Sequence, residues 1–383
     1  MEKIKLAAIS AFGLEAIVKR ELNELGYENV VTDNGWMYFD AEAKDIPIAN
    51  INLRCADRVM LVMGQFEVYS FEELFDKTFE LPWEKWITKD GKFTVKGKSV
   101  KSKLYSTPDC QAIVKKAISK KLCEEYNVEW MPETGAEFTV QVSIHKDVAT
   151  LSIDTTGARE GLFKRGYREK STEAPLKETM AAALVKLSFW NKDRILYDPM
   201  CGSGTIAIEA AMIGRNIAPG LLRTFASQNW PMVKEEYWKD AKTEARKRID
   251  LDSPIKIFAS DISKKAISIA KENAAEAGVD DCIEFFDKDV MHIKEPMCAN
   301  GILITNPPYG ERIGEIIDIQ KIHKHLGQVF GKDKTWSVYV ITAVETFEKD
   351  FGRKADRKRK LFNGDVKVDY YQYFGEKPVK NND

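Results

Sequence analysis

The stretch Gly301-Ile302-Leu303-Ile304-Thr305-Asn306-Pro307-Pro308-Tyr309-Gly310 decides how the second half of the chain folds. Its apolar first half predicts a buried strand. The two prolines then predict a rigid loop, because proline fixes its own φ and offers no backbone N–H. The loop presents an amide side chain, carbonyl oxygens and an aromatic ring, which suits a planar group that carries an NH2. A loop that only turns the chain is the alternative, and these residues alone do not exclude it.

Polar side chains also follow three earlier predicted strands. These strands lead to Asp198, Asp261 and Asp289, and helical patterns separate them. Strands that alternate with helices predict a parallel α/β sheet. Ligands of such sheets bind at the edge where the carboxyl ends of the strands meet. We therefore expect the three aspartates and Asn306 to lie around one site.

A glycine-rich turn, Asp198-Pro199-Met200-Cys201-Gly202-Ser203-Gly204-Thr205, follows the first of these strands. Together with Ala207 it satisfies the dinucleotide fingerprint, so an NAD(P)-dependent oxidoreductase is an alternative. In that fingerprint the ribose-binding acid follows about 20 residues later. Here Asp261 stands much farther away, because residues 215–253 form an insertion. The fingerprint also leaves Asp198 and the Asn-Pro-Pro-Tyr loop without a role.

A cationic cofactor that contains a nucleoside fits these residues better. Gly202 and Gly204 would let the backbone approach an amino-acid group. Asp261 would accept hydrogen bonds from ribose hydroxyls, and Asp289 would accept one from an adenine amino group. S-adenosylmethionine has all three parts, and its sulfonium charge is compatible with an acidic rim.

Composition limits the remaining possibilities. With 383 residues, 44% hydrophobic and 31% charged, the chain is expected to form two or three ordinary domains. No apolar run approaches the length of a membrane span, and the first residues lack a signal-peptide core. The six cysteines are scattered without metal-ligand spacing, so we expect no metal and a reducing cytoplasm. His323 and His325 lie in a polar helical pattern and are expected on the surface.

The first 161 residues predict two small α+β units. Residues 1–70 show a strand–helix–hairpin–helix–strand pattern of the ferredoxin-like kind, with Asn34-Gly35 at the hairpin turn. Residues 71–161 contain a strand, a helix that begins at Thr107-Pro108, and a second hairpin. Within this second unit, residues 89–121 hold 10 lysines against 2 aspartates. A local excess of this kind predicts contact with a polyanion.

Several basic side chains are therefore candidates for contact with nucleic-acid phosphates, although a solvated charged surface is the commoner meaning of such runs. On the predicted helix they are Lys115, Lys116, Lys120 and Lys121. Others lie in the segment 162–168 and near a C-terminal Asn363-Gly364 hairpin, namely Arg165, Arg168, Lys358 and Arg359. Phe225 and Trp230 in the insertion could stack on bases, but burial is the commoner outcome for such residues, and we assign them no role.

The glycine turn together with Asn306-Pro307-Pro308-Tyr309-Gly310-Glu311-Arg312 resembles the class I methyltransferases that modify exocyclic amines of bases. The basic unit ahead of it resembles a THUMP domain. Phe163-Lys164-Arg165-Gly166-Tyr167-Arg168 and Ala174-Pro175-Leu176-Lys177-Glu178 resemble signatures of one subgroup, the bacterial THUMP-domain methyltransferases of guanine N2 in 23S ribosomal RNA. Members of this subgroup have often been labelled adenine-N6 DNA methylases, because the same loop also serves adenine.

This resemblance implies an α/β fold: a Rossmann-like methyltransferase domain with a seven-stranded, mostly parallel sheet over residues 162–383, preceded by a ferredoxin-like domain (1–70) and a THUMP RNA-binding domain (71–161). The implied cofactor is S-adenosylmethionine and the implied partner is 23S rRNA. Asn306, Pro307 and Tyr309 would be catalytic. The cofactor would contact Asp198, Cys201, Gly202, Ser203, Gly204, Thr205, Asp261, Ile262, Asp289, Val290 and Asn306.

Three substrates stay open from the sequence: guanine N2 in 23S rRNA, guanine N2 in tRNA, and adenine N6 in DNA. The THUMP-like unit favours RNA over DNA. A protein that only binds RNA would require an incomplete site, yet every expected polar position is filled.

Overall fold

The computed structural model describes residues 2–157, 161–168, 176–309, 313–364 and 366–377, with the backbone alone for 313–316. The chain forms two compact units. Unit 1 comprises residues 1–10, 18–162 and 223–244, and unit 2 comprises residues 11–17, 163–222 and 245–383.

Among the described residues, unit 1 contains seven strands in one sheet. Its elements are β1 (Ile4–Ile9), α1 (Glu15–Glu24), β2 (Val31–Asp33), β3 (Trp36–Ala41), α2 (Asp45–Asn52), β4 (Arg58–Glu67), α3 (Phe71–Phe79), β5 (Lys92–Val100), α4 (Thr107–Tyr126), β6 (Glu137–His145) and β7 (Val148–Asp154). The strand order is β2-β3-β1-β4-β7-β6-β5. Only the β5–β6 pair is parallel. The predicted ferredoxin-like pattern is confirmed, including the Asn34-Gly35 turn, where both residues have positive φ.

The two predicted N-terminal domains share this sheet. β4 ends the ferredoxin-like pattern and pairs antiparallel with β7 of the predicted THUMP domain, with Met60 opposite Asp154 at one end and Glu67 opposite Val148 at the other. The pairing has one register shift, between Val62 and Gly64, and it joins the two patterns into one sheet. The sequence did not predict this pairing, because strand periodicity shows which face of a strand is buried and not which strand lies beside it.

Unit 2 contains the second sheet. Its elements are α5 (Glu178–Leu187), β8 (Leu196–Asp198), α6 (Thr205–Gly214), β9 (Ile257–Asp261), α8 (Lys264–Glu276), β10 (Ile283–Asp287), β11 (Ile302–Thr305), α9 (Ile313–Val329), β12 (Ser337–Thr342), α10 (Phe347–Phe351), β13 (Arg357–Asn363) and β14 (Val366–Tyr373). The remaining helix, α7 (Glu235–Lys247), lies within the insertion, and most of it belongs to unit 1. The order is β10-β9-β8-β11-β12-β14-β13. Only β14 runs antiparallel to its neighbours. The predicted seven-stranded, mostly parallel sheet is confirmed.

The centre of this sheet is buried on both faces. All residues of β11 and β12 are buried, as expected for parallel strands covered by helices on both sides. Leu326 of α9 and Phe330, which directly follows α9, pack there with Phe347 of α10 and Tyr371 of β14. β11 is therefore rigid where the Asn-Pro-Pro-Tyr loop leaves it.

Two expectations about aromatic side chains have different outcomes. Phe225 and Trp230 are buried, and Trp230 stacks on Phe138 of unit 1 at 4.9 Å between ring centroids. The expectation that His323 is exposed is wrong. His323 is completely buried against Phe347, and burial lowers its pKa to about 4. His325 is half-buried, with Nε2 2.9 Å from the carbonyl oxygen of Ile293.

Within the described residues, no helix has both the length and the apolar character that crossing a membrane requires.

Candidate active site

Four neighbouring strands bring the predicted polar residues to one edge of the second sheet. β8, β9, β10 and β11 are parallel and adjacent. β8 ends at Asp198 and β9 at Asp261, Asp289 follows β10, and Asn306 follows β11. This is the edge at which open α/β sheets bind ligands.

The glycine turn between β8 and α6 is held from two sides. Gly202 N–H donates to Asp261 Oδ2 over 2.9 Å, and Asn273 Nδ2 on α8 donates to the Ser203 carbonyl over 3.0 Å. Gly204 has φ of 82°, and a Cβ there would lie 3.1 Å from the Ala270 Cβ. Glycine is needed at this position both for the positive φ and for the close approach of α8. Asn273 could not be predicted from the sequence, because a single Asn within an ordinary helical pattern is not distinctive.

Asp198, the first residue of this turn, is hydrogen-bonded to the neighbouring strand β11. It is 1% exposed, and its Oδ1 accepts hydrogen bonds from Thr305 Oγ1 at 2.7 Å and from Met200 N at 3.2 Å. Burial is the main reason that the pKa of Asp198 is raised to about 7; the nearby Asp261 charge acts in the same direction, and the hydrogen bonds from Thr305 and Met200 act against it. A buried carboxyl of this kind becomes stabilised in its charged form when a cation binds beside it.

Asp261 and Asp289 are both fixed by backbone N–H groups. Asp261 Oδ1 accepts from Ser263 N at 2.9 Å, in addition to the Gly202 bond on Oδ2. Asp289 Oδ1 accepts from Met291 N at 2.9 Å. Each carboxylate oxygen has more than one acceptor position, so both side chains can still accept hydroxyl or amino protons from a ligand.

The other predicted cofactor residues divide into exposed and buried side chains. Ile262 is 69% exposed beside Asp261 and offers an apolar face for a nucleoside base. Val290 is 5% exposed and packs in the core, so only its backbone faces outward. Cys201, Ser203 and Thr205 are also buried, and the turn they form presents mainly backbone. A buried acidic group, a glycine turn and two acceptor carboxylates fit S-adenosylmethionine.

The loop that follows β11, residues 306–310, is called the acceptor loop, and two of its side chains contact each other. Pro307 is buried, Pro308 is exposed, and Asn306 and Tyr309 are half-buried. The Tyr309 hydroxyl donates to Asn306 Oδ1 over 2.7 Å. Burial raises the pKa of Tyr309 to about 12, and the side chain of Asn363 in β13 acts in the lowering direction. Gly310, Glu311 and Arg312 lie outside the described residues.

The predicted RNA contact of Arg165 is wrong. Arg165 is 2% exposed and makes a two-point ion pair with Glu209 on α6, with Nε–Oε1 at 3.3 Å and Nη2–Oε2 at 3.4 Å. The Tyr167 hydroxyl donates to the same Glu209 Oε1 over 3.1 Å. A buried arginine in such a pair cannot reach a phosphate in solution.

The predicted RNA contact of Arg168 is corrected in the same way. Its Nη2 donates to Glu178 Oε2 over 3.0 Å, and its Nη1 donates to the Leu176 carbonyl and to Thr205 Oγ1. Thr205 is the first residue of α6 and belongs to the glycine turn. Arg168 therefore stabilises the expected cofactor turn through its hydrogen bond to Thr205. Both predictions were wrong because spacing in the sequence does not show that an arginine pairs with a buried glutamate such as Glu178 or Glu209.

The predicted lysines of α4 lie outside its buried apolar stripe. Lys115, Lys116 and Lys120 are exposed and Lys121 is half-buried. Lys121 pairs with Glu125 at 2.6 Å, and Lys120 lies 3.8 Å from Glu124. Such exposed pairs are weak and exchange readily for phosphate, so these lysines remain predicted RNA contacts.

The two predicted C-terminal contacts lie on β13. Lys358 is exposed and pairs with Asp369 on β14 at 3.0 Å, whereas Arg359 is half-buried. The hairpin predicted at Asn363-Gly364 is confirmed by the pairing of β13 with β14.

Three family models match consecutive parts of this chain. The RMKL-like methyltransferase domain family matches residues 165–372, the THUMP domain matches residues 68–154, and the RlmL ferredoxin-like domain matches residues 5–60. A relative from Bacillus subtilis named "Putative RNA methyltransferase YpsC" is 48% identical over 98% of this chain and 97% of its own length.

Two further proteins add to the comparison. A "Ribosomal RNA large subunit methyltransferase K/L" of Psychromonas ingrahamii is 35% identical over 93% of this chain, and this chain spans 48% of that protein. The crystal structure of SMU.472, "a putative methyltransferase complexed with SAH", is 43% identical, covers 99% of this chain and 100% of its own, and superimposes with a TM-score of 0.91.

The sheet order, the glycine turn and the acceptor loop define a class I methyltransferase that uses S-adenosylmethionine. More particularly, this chain belongs to the RMKL-like methyltransferase family, with a ferredoxin-like segment and a THUMP domain in front of the catalytic domain.

Proposed function

We propose that this enzyme transfers a methyl group to the exocyclic N2 amine of a guanine in 23S ribosomal RNA, in the cytoplasm. One observation carries the methyl-transfer part of the proposal: the Thr305 hydroxyl is bonded to Asp198 at 2.7 Å, directly before Asn306. The acceptor loop thus begins where the cofactor turn begins. The THUMP domain and the K/L relative support an RNA substrate, and the resemblance of residues 163–168 and 174–178 supports guanine N2.

The acceptor loop supplies what a weak nucleophile needs. The exocyclic amine of guanine is a poor nucleophile because its lone pair is delocalised into the ring. Asn306 Oδ1 and the Pro307 carbonyl each accept one N–H, which draws the nitrogen toward tetrahedral geometry and directs its lone pair at the methyl group. S-adenosylmethionine would be held by the glycine turn, Asp261 and Asp289, and would supply the methyl group from its sulfonium. The amine nitrogen would gain the methyl group as the C–S bond breaks, S-adenosylhomocysteine would be the leaving group, and the amine proton would pass to solvent.

No strong base is required in this scheme, because the protein acts mainly by positioning. The target base stands out of its helix or loop to enter the site, and Tyr309 stacks on it. In the structure Asn306 Oδ1 already accepts the Tyr309 hydroxyl. An amide oxygen has two acceptor positions, so it can hold both the hydroxyl and the substrate N–H.

Guanine N2 in tRNA and adenine N6 in DNA are the second candidates, because the Asn-Pro-Pro-Tyr loop suits either amine. Mass spectrometry of nucleosides from 23S rRNA, tRNA and DNA of a strain that lacks this gene separates them. We expect N2-methylguanosine to be lost from 23S rRNA and restored by the wild-type gene but not by Asn306→Ala. Loss from tRNA alone, or loss of N6-methyladenine from DNA, would overturn the assignment.

A further inference from the structure

A basic groove lies on unit 2, between the C-terminal half of α9 and α10. Its volume is ≈ 710 Å³, within the range of ligand-binding clefts. Five cationic side chains and one carboxylate, that of Asp350, line the groove. The cations are Lys321, Lys324, Lys332, Lys349 and Arg353.

The floor of the groove is made of backbone. A Cβ at Gly327 of α9 would lie 1.9 Å from the carbonyl oxygen of Phe351, so the two helices touch without side chains between them. Gly331 and Gly352 also line the groove. With glycines below and long cationic side chains at the rim, the groove can admit a bulky anionic chain.

The positive charge of the groove is only weakly compensated. Lys321 pairs with Asp318 and Arg353 with Asp356, each at 2.9 Å, and all four side chains are at least 40% exposed. Exposed pairs of this kind contribute little and are easily exchanged.

The other three groove lysines, Lys324, Lys332 and Lys349, are exposed, and no acidic side chain of the described residues pairs with them. Asp350 accepts from Thr346 Oγ1 at 2.7 Å and lies 3.9 Å from His323 Nδ1. Lysines that share one concave surface repel each other, and a polyanion relieves this repulsion.

The groove is separated from the acceptor loop by most of α9. This helix begins at Ile313, shortly after Tyr309. With a rise of about 1.5 Å per residue, Gly327 lies roughly 20 Å along the helix from its start. A ligand in the groove therefore cannot be the methylated base itself, but a strand that continues from that base for several nucleotides can reach it.

We propose that this groove binds the sugar–phosphate backbone of the RNA substrate, several nucleotides away from the methylated base. The proposal rests on RNA being the substrate. It assigns the groove to phosphate contacts that fix the position of the RNA and do not read its sequence.

The test compares two triple variants with the same change in net charge. Lys324→Gln/Lys332→Gln/Lys349→Gln neutralises the groove. Lys192→Gln/Lys256→Gln/Lys271→Gln neutralises exposed lysines elsewhere in unit 2. Binding of a 23S rRNA transcript is measured across salt concentrations with S-adenosylhomocysteine present. Each lost phosphate contact lowers the slope of log affinity against log salt by about 1.

We expect the groove variant to lose about 2 to 3 units of this slope, to show a higher KM for RNA, and to keep its kcat. The control variant should match the wild type in slope and KM. Equal behaviour of the two variants would overturn the proposal. Because binding and the methylated product are measured separately, a groove effect without methylation of 23S rRNA would refute the proposed substrate and leave the groove assignment in place. Unchanged S-adenosylhomocysteine affinity checks that the groove variant is folded.

Discussion

Tyr309 holds Asn306: its hydroxyl donates to Asn306 Oδ1 over 2.7 Å. The amide that is expected to receive the substrate amine is thus oriented before any substrate arrives. Tyr309 and Asn306, the two residues of the acceptor loop joined by this hydrogen bond, are therefore expected to act as a unit.

Asn306→Ala should reduce kcat by about 100-fold or more, as the removal of one preorganised hydrogen-bonding group does in other enzymes. The cofactor should still bind, because Asp198, Asp261 and the glycine turn are unchanged. Single-turnover methylation together with calorimetric titration of S-adenosylhomocysteine measures the two effects separately. A variant that retains wild-type kcat would show that this amide does not hold the reacting amine.

Two substitutions of Tyr309 separate its two roles. Tyr309→Phe keeps the ring and removes only one hydrogen bond, so activity should fall by no more than about tenfold. Tyr309→Ala also removes the stacking surface, which contributes about 1–3 kcal/mol per base, and should raise KM for RNA strongly. Steady-state kinetics with an rRNA transcript measures both. Equal losses in the two variants would contradict a stacking role for the ring.

Asp261→Asn should weaken cofactor binding by about tenfold or more, because hydrogen bonds to a charged group contribute about 1.5–3 kcal/mol. Its carboxylate both holds the glycine turn through Gly202 and faces the expected ribose. Asp287→Asn is the matched control, since Asp287 ends the neighbouring strand β10 and its ion pair among the described residues is with exposed Lys264. Titration of S-adenosylhomocysteine into both variants is the measurement. If both variants bind like the wild type, the ribose assignment is wrong.

The sequence predicted the ligand-facing residues of the site better than the residues that hold them in place. Asp198, Asp261, Asp289 and Asn306 could be found because each follows an apolar strand, and strand ends of a parallel sheet meet at one edge. The turn glycines could be found because their spacing is distinctive. Both signals are local in sequence.

The residues that hold the site in place do so through contacts between segments that are distant in the sequence. Arg168 resembled a surface cation in the sequence, yet it contacts Glu178 and Thr205, which come from two different helices. The burial of His323 was missed for the same reason, because Phe347 covers it from another element. The bounds between the three expected domains stay a prediction.

The pH dependence of cofactor binding should report on Asp198. Burial raises the pKa of this carboxyl to about 7 in the free protein. It is therefore neutral well below pH 7 and negatively charged above, and only the charged form attracts the cationic cofactor. Affinity for S-adenosylmethionine should rise by up to about tenfold per pH unit as pH increases toward 7 and then level off.

Asp198→Asn should bind the cofactor more weakly and lose this rise, whereas Asp289→Asn should keep it. In the free protein, the raised pKa of Asp198 makes folding stability fall as pH rises. The stability that Asp198 contributes is fully present below the ordinary carboxyl range and is lost as pH rises through 7. Calorimetric titrations from pH 5.5 to 8.5 test the binding effect, and a rise of the same size in Asp198→Asn would assign the titration to another group.

The buried pair of Arg165 and Glu209 should dominate the stability of unit 2 near the cofactor turn. Glu209→Gln leaves the arginine charge buried without its counter-charge, which typically costs about 3–5 kcal/mol. The double substitution Arg165→Met/Glu209→Leu removes both charges and should be much less harmful, because apolar residues of similar size often replace a buried pair at little cost. Glu124→Gln on α4 breaks an exposed pair and should leave the unfolding midpoint unchanged.

Thermal unfolding of the four proteins, the wild type included, measures these differences. A Glu209→Gln midpoint equal to that of Glu124→Gln would show that Arg165 is exposed in solution. Arg165 would then again be a candidate for RNA contact. A low midpoint in Glu209→Gln that the double substitution restores would instead place Arg165 inside the fold, where it supports α6 through Glu209 and the cofactor turn at the start of that helix.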